Sequence, residues 1–253
     1  MSYINVKLKK SFQLAVSASL LCAASTVSAA PIFWADWETD TSTAVNGTLT
    51  TLTSTVDVTY TNTQGIAFLQ TGTGIDYFNS SQDPTISPYT STLVDNTPTA
   101  AEMIGLNQQG SQTLTFSESV ANLVFSYVSL NGNGYSFDQD FDILSVGGVD
   151  GKACGYFGCG TSYKNVVDLG NGDFEYQLLG TGEPHGTIQF QGAFDDVSWT
   201  SLSNEHWNGF TVGVQGTTIE VLTPVPEPST LALMGLGLGL LGFTAARRKK
   251  AQV

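Results

Sequence analysis

Thr113-Leu114-Thr115-Phe116-Ser117, then Leu123-Val124-Phe125-Ser126-Tyr127-Val128-Ser129-Leu130, closed by Asn131-Gly132-Asn133-Gly134, decides the fold class. Leu114 and Phe116 alternate with Thr113, Thr115 and Ser117, the period of two by which a strand sends successive side chains to opposite faces. In the second run Leu123, Phe125 and Tyr127 oppose Val124, Val128 and Leu130, so this strand carries apolar residues on both faces and belongs in a covered position. The Asn-Gly repeat after it is turn chemistry, because both residues tolerate positive φ.

The same alternation extends outward. Thr48 to Tyr60 is rich in Thr and Val, with Val56, Val58 and Tyr60 on one face and Asp57 and Thr59 on the other. Further strands are expected at Phe141 to Val146, Phe174 to Leu179, Thr187 to Gln191, Val197 to Thr200, Phe210 to Val214 and Thr218 to Leu222. Asn46-Gly47, Gly147-Gly148, Asn171-Gly172-Asp173 and Asn208-Gly209 supply turns between them. Pro84 to Pro98 reads as a long loop, and Ala100 to Leu106 as a helical turn or short helix. Many short strands with Gly/Asn turns and no strand–helix alternation predict an all-β chain, an antiparallel, jelly-roll-like β-sandwich over residues 30–223.

The two ends have different chemistry. Lys7, Lys9 and Lys10 precede an apolar run from Phe12 to Ala24, and Val27-Ser28-Ala29 supplies small residues, the layout of a signal peptide (residues 1–29) cut by signal peptidase after Ala29. Near the other end, Val225-Pro226-Glu227-Pro228-Ser229-Thr230 holds the backbone extended. Leu231 to Ala246 follows without a charge, and Arg247-Arg248-Lys249-Lys250 forms a basic stop. An apolar helix over 231–246 would be about 24 Å long, short of a typical hydrocarbon core of roughly 30 Å. Gly235, Gly237, Gly239 and Gly242 weaken it further. It suits a temporary transmembrane tether whose basic flank stays cytoplasmic.

Motif, apolar run and basic stop, in this order over residues 224–253, resemble the PEP-CTERM sorting signal of Gram-negative bacteria. The resemblance implies recognition by an exosortase-type membrane protease, removal of the tail, and delivery to the cell envelope, surface or extracellular matrix. It covers about a tenth of the chain and implies a destination, not an activity.

Charge narrows the partners. Of 22 acidic residues only Glu227 lies in an end segment, whereas seven of the 9 basic residues do. Residues 30–223 therefore hold 21 acidic residues against Lys152 and Lys164, a net charge near −19. That argues against nucleic acid or anionic lipid as a partner and suits divalent cations.

Cys154 and Cys159, in Cys-Gly-Tyr-Phe-Gly-Cys, are expected to form a local disulfide in an oxidising compartment. Asp138, Asp140 and Asp142 alternate; on a strand they would share one face and offer oxygen ligands to calcium, although the spacing is not that of an EF-hand. Trp34, Trp37 and Trp207 lie in polar company, as rings that stack on sugars do, within a wider aromatic set that includes Tyr77, Phe78, Tyr89, Tyr156, Phe157 and Trp199. His185 and His206 read as surface-loop residues, and Glu183-Pro184-His185 and Glu205-His206-Trp207 each put an acid beside a histidine. A hydrolase would pair carboxylates such as Glu175 and Glu183. No Gly-x-Ser-x-Gly elbow, His-Glu-x-x-His helix or phosphate-binding glycine loop is present.

The expectation is a non-enzymatic exported surface or extracellular-matrix protein in biofilm or envelope architecture, without a required cofactor. Two alternatives stay open: a calcium-assisted module binding extracellular polysaccharide, and a glycan-processing enzyme.

Overall fold

The computed structural model describes residues 31–222. The signal peptide over 1–29 and the segment holding the Pro-rich motif, the apolar helix over 231–246 and the basic stop lie outside the described residues. Among the described residues no helix is long and apolar enough to cross a membrane.

The chain order is β1 (Phe33–Trp34), β2 (Asp36–Asp40), β3 (Ala44–Thr50), β4 (Thr55–Asn62), β5 (Phe68–Gln70), β6 (Met103–Leu106), β7 (Gly110–Ala121) and β8 (Val124–Val128). Then follow β9 (Gly134–Phe137), β10 (Asp142–Val146), β11 (Gly160–Gly170), β12 (Asp173–Gly182), β13 (Gly186–Gln189), β14 (Ala193–Ser201), β15 (Asn208–Val214), β16 (Gly216–Thr217) and α1 (Thr218–Leu222). One sheet runs β10-β13-β8-β15-β6-β5, with β1 added beside β15. The other runs β11-β12-β9-β14-β7-β4-β3-β2, with β16 beside β7. The protein is all-β, as expected, and its two sheets are antiparallel.

The sheets face each other across a shared core. Phe125 of β8 stacks on Phe210 of β15 (centroids 4.9 Å apart) and meets Trp199 of β14 edge-on at 5.4 Å, across the gap between sheets. Tyr135 and Phe137 of β9 approach the same ring at 5.7 and 5.9 Å. Edge-to-face pairs of this kind each add about 0.5–1.5 kcal/mol beyond area burial. β4 shows the alternation read from its sequence: Val56, Val58 and Tyr60 are buried, and Asp57 is exposed.

β8 is buried on both faces, as its apolar pattern required. One face meets the opposite sheet. The other is covered by the connection between β5 and β6, whose Phe78 and Tyr89 pack with Met103 and Val128. Buried Glu102 ties this connection down by accepting from the Trp37 N–H (2.9 Å) and the Gly72 N–H (2.7 Å). A buried carboxylate is tolerable here because backbone donors replace the water it lost.

Three local expectations are corrected. Thr48 to Tyr60 is a hairpin, with residues 51–54 turning between β3 and β4. Ala100 to Leu106 holds strand β6, which completes pairing with β5 and β15. Thr218 to Leu222 is helical: the Thr217 N–H donates to Glu220 Oε2 (2.7 Å) and the Glu220 N–H to Thr217 Oγ1 (3.2 Å), a reciprocal capping box that outweighs the β-branched composition.

Candidate functional site

Cys154 and Cys159 are joined by a disulfide, as expected. Inside it Gly155 and Gly158 form an antiparallel bridge, and Tyr156 and Phe157 sit at the tip. The turn rests on a buried side chain. A Cβ on Gly155 would lie 2.0 Å from Cγ of His185, so the glycine backbone is seated against the imidazole. Phe157 stacks near the same imidazole, with centroids 6.4 Å apart and planes 20° apart.

Around this turn an aromatic cluster assembles from three distant segments. Tyr77 comes from the β5–β6 connection, Tyr156 and Phe157 from the disulfide turn, and Trp207 from the residue before β15. Tyr77 lies 5.0 Å from Tyr156, 5.7 Å from Phe157 and 5.2 Å from Trp207. Phe157 lies 5.2 Å from Trp207, which also meets Phe68 at 5.3 Å. Tyr77, Trp207 and Phe68 rest on the Phe78/Tyr89/Met103/Val128 cluster, so the patch has a rigid floor. Its outer rings stay in water: Tyr156 is 46 % exposed and Phe157 43 %.

Glu183 lies beside the turn, its Cγ 4.0 Å from where a Cβ on Gly158 would sit, and Glu205 lies on the inter-sheet side of the strand that Trp207 precedes. Glu183, whose backbone N–H donates to the Cys159 carbonyl (3.2 Å), accepts from Ser129 Oγ (2.5 Å) and Asn131 Nδ2 (2.6 Å). Glu205, two residues before Trp207, accepts from Asn208 Nδ2 through one oxygen, and Asn208 Oδ1 in turn accepts from the Tyr135 hydroxyl. Its other oxygen is buried without a hydrogen-bond partner among the described residues. Burial pushes the Glu205 carboxyl up to about 7; the Asn208 hydrogen bond opposes this and the charge of Glu183 adds to it.

His185 is fully buried, which corrects the surface-loop reading. Its Nδ1 is 3.0 Å from the Tyr89 hydroxyl, and burial lowers its pKa to about 4. It is therefore neutral at physiological pH and serves as the platform under Gly155 and Phe157. His206 is exposed. The expected pairing of Glu175 with Glu183 does not form: eight residues of extended chain separate them by about 26 Å, and Glu175 accepts from Ser136 Oγ instead (3.0 Å). Glu205 is the carboxylate whose charge interacts with Glu183.

The three candidate tryptophans have separate fates. Trp207 joins the patch. Trp37 has no exposed surface and donates from Nε1 to Thr211 Oγ1 (3.1 Å), so it is a core residue and not a ligand platform. Trp34 is half-buried against Ile32, Val94, Val124 and Leu144, away from the patch. Phe78, Tyr89 and Trp199 are buried too.

The Asp138/Asp140/Asp142 row is also corrected, because the three do not share a strand. The chain leaves one sheet after Phe137 and enters the other at Asp142, so Asp138 and Asp140 lie in the crossover. Asp140 Oδ1 accepts from Lys164 Nζ (2.8 Å), and Asp142 Oδ2 from Gln191 Nε2 (2.6 Å). Among the described residues no three His, Cys, Asp or Glu side chains gather as metal ligands.

Beyond the folded sheets, residues 224–249 match the family model of the PEP-CTERM protein-sorting motif. The chain carries a PEP-CTERM sorting signal. No curated protein and no solved structure matches the chain significantly. The PEP-CTERM signal marks an exported protein, sorted by an exosortase-type system to the cell envelope or surface.

The aromatic patch and α1, the last described element, lie toward opposite ends of β15. β15 begins at Asn208, beside Trp207, with Gly209 opposite Val128; it ends with Gly213 opposite Val124, and β16 and α1 follow directly. Seven extended residues put about 20 Å between the two ends.

Proposed function

We propose that this exported protein is a non-enzymatic component of the cell surface or matrix that holds polysaccharide on the aromatic patch of Tyr77, Tyr156, Phe157 and Trp207. The observation that carries the reading is two half-exposed rings on a disulfide-closed turn, with Glu183 beside Gly158 at its base. Flat rings receive the C–H faces of sugars, and carboxylate and amide groups beside them pair with hydroxyls. The rings are held by covalent and packing constraints before any ligand arrives, which limits the entropic cost of binding. An acidic surface disfavours uronic, sulfated or phosphorylated glycans and leaves neutral or amine-bearing ones.

A glycan array probed with the full chain, with and without calcium, tests this. Binding is expected, and Phe157→Ala and Trp207→Ala should each remove most of it. A chain that binds no glycan in either condition overturns the reading.

The coupling of Glu205 to Glu183 favours a second reading, since a carboxyl raised by burial and by a second carboxyl is the pattern of an acid in glycoside hydrolysis. Release of reducing ends from a glycan that binds, lost in Glu205→Gln, would support it over simple binding.

A further inference from the structure

The hairpin of β11 and β12 projects beyond the sheet that carries it. β12 pairs with β9 only over Tyr176–Leu179, whereas β11 follows β12 from Gly160 to Gly170. β11 is the terminal strand of its sheet, so one row of its backbone N–H and C=O groups has no paired strand among the described residues. Folded proteins usually keep such edges short, bulged or covered. This one is 11 residues long, its register is regular up to Asp168, and Tyr163, Val166 and Leu169 on it are 50 %, 49 % and 56 % exposed.

We infer that β11 is a docking edge for β11 of a second copy, paired antiparallel about a two-fold axis at Val166. A two-fold axis between antiparallel strands must place one residue opposite its own copy, so each choice of centre defines one register. Centring on Lys164 or Asp168 sets like charges against each other. Centring on Asn165 sets Lys164 opposite Val166, and centring on Val167 sets it opposite Gly170. Centring on Val166 sets Lys164 opposite Asp168 twice, Asn165 opposite Val167, and Tyr163 beside Leu169.

Charge complementarity commits the edge to this occupant. Lys164 is one of only two cations in residues 30–223, and it stands four residues from an acid on the same exposed strand. Edge lysines usually block pairing by projecting into it. Lys164 is instead drawn aside, donating to Asp140 Oδ1 (2.8 Å) and the Phe141 carbonyl (2.7 Å). An ammonium has three protons, so one remains for Asp168 of the second copy. Asp168 uses one oxygen on the Gly170 N–H (2.8 Å). Self-pairing is independent of the glycan reading and would let a surface protein cross-link the material it binds.

The test uses the full chain in a mild detergent at about physiological salt, where a Debye length of roughly 8 Å screens the repulsion between two acidic copies. Val166→Cys is expected to form a covalent dimer on mild oxidation, because cross-strand Cα separations of about 4.5–5.5 Å suit a disulfide. Val167→Cys should not, since it faces Asn165. In sedimentation velocity the wild type should be dimeric, Val166→Pro monomeric, and Asp168→Lys roughly tenfold weaker in self-association. Asp168→Lys keeps the test decisive should the proline variant fail to fold. A monomeric wild type, a dimer indifferent to Asp168→Lys, or cross-linking of Val167→Cys as strong as that of Val166→Cys overturns the inference.

Discussion

Gly155 lies so close to the His185 ring that an added Cβ would sit 2.0 Å from its Cγ. This contact joins the disulfide turn to the sheet beneath it, because His185 immediately precedes β13 and its Nδ1 meets the Tyr89 hydroxyl. The disulfide turn and its Phe157 ring therefore stand on a buried imidazole.

Gly155→Ala should be far more costly than an exposed Gly→Ala change. Overpacking of a filled site costs about 1–3 kcal/mol, read as a lower denaturation midpoint, and the displaced turn should lose glycan binding with it. His185→Ala in the same chain opens space and should recover part of the loss, although its own cavity is also destabilising. A Gly155→Ala protein as stable as wild type would show that the turn is not seated on His185.

His185 and Glu205 give opposite pH dependences. His185 has a folded pKa of about 4 against an ordinary 6.5. Its stabilising contribution is complete above pH 6.5 and is lost as pH falls towards 4, where the unfolded chain takes a proton that the folded one refuses. Glu205 is raised from 4.5 to about 7, so its contribution is complete below pH 4.5 and is lost as pH rises through 7. Between about pH 4.5 and 6.5 the two slopes oppose each other. Glu205→Gln should remove the opposing slope, with the histidine then contributing a loss of about 3 kcal/mol between pH 6.5 and 4. Urea titrations across that window check it; a slope unchanged by Glu205→Gln refutes the opposition.

Reducing the Cys154–Cys159 disulfide should cost about 2 kcal/mol, the low end expected for so short a loop. Its effect on the patch should be larger than its effect on the fold, because Tyr156 and Phe157 sit between the two cysteines. A reductant titration following glycan binding and thermal midpoint together should show binding lost first. Equal binding by the reduced protein would mean that packing on His185 alone holds the turn.

What was legible in the sequence was what alternation encodes. Val56, Val58 and Tyr60 announced a half-buried strand, and the two-sided apolar run of β8 announced a cover, though not that Phe78 and Tyr89 would supply it. Trp37 looked accessible beside Asp36 and Glu38, yet in a strand those two acids point outward and send the tryptophan inward. The Asp138/Asp140/Asp142 row failed because alternation persists only while the strand does, and the chain changes sheets within it. His185 was missed because its burial depends on Gly155, thirty residues earlier, and on a turn closed by a disulfide. The patch gathers residues from near positions 77, 157 and 207, a contact that no local pattern carries.

The most local signal that composition hid is Thr217-x-x-Glu220. Glu220 does more than cap α1. Its Oε1 accepts from the Thr53 N–H (2.6 Å), Thr53 Oγ1 (2.6 Å) and Thr51 Oγ1 (3.0 Å), which pins the helix to the β3–β4 turn. Burial acts to raise its pKa, but these bonds and the Thr217 N–H outweigh it and hold the carboxyl below its ordinary value. The clasp is therefore intact at neutral pH and is lost as pH falls through that lowered value. Removing an N-terminal cap partner typically costs about 1 kcal/mol, and Glu220→Ala should cost at least that. The loss should be local, since α1 is five residues at the margin of the fold. Limited proteolysis at pH 7 should cut Glu220→Ala within residues 218–222 faster than wild type, while the sandwich beyond stays protected. Cleavage at the same rate in both proteins would show that the tail leaves the fold without a clasp.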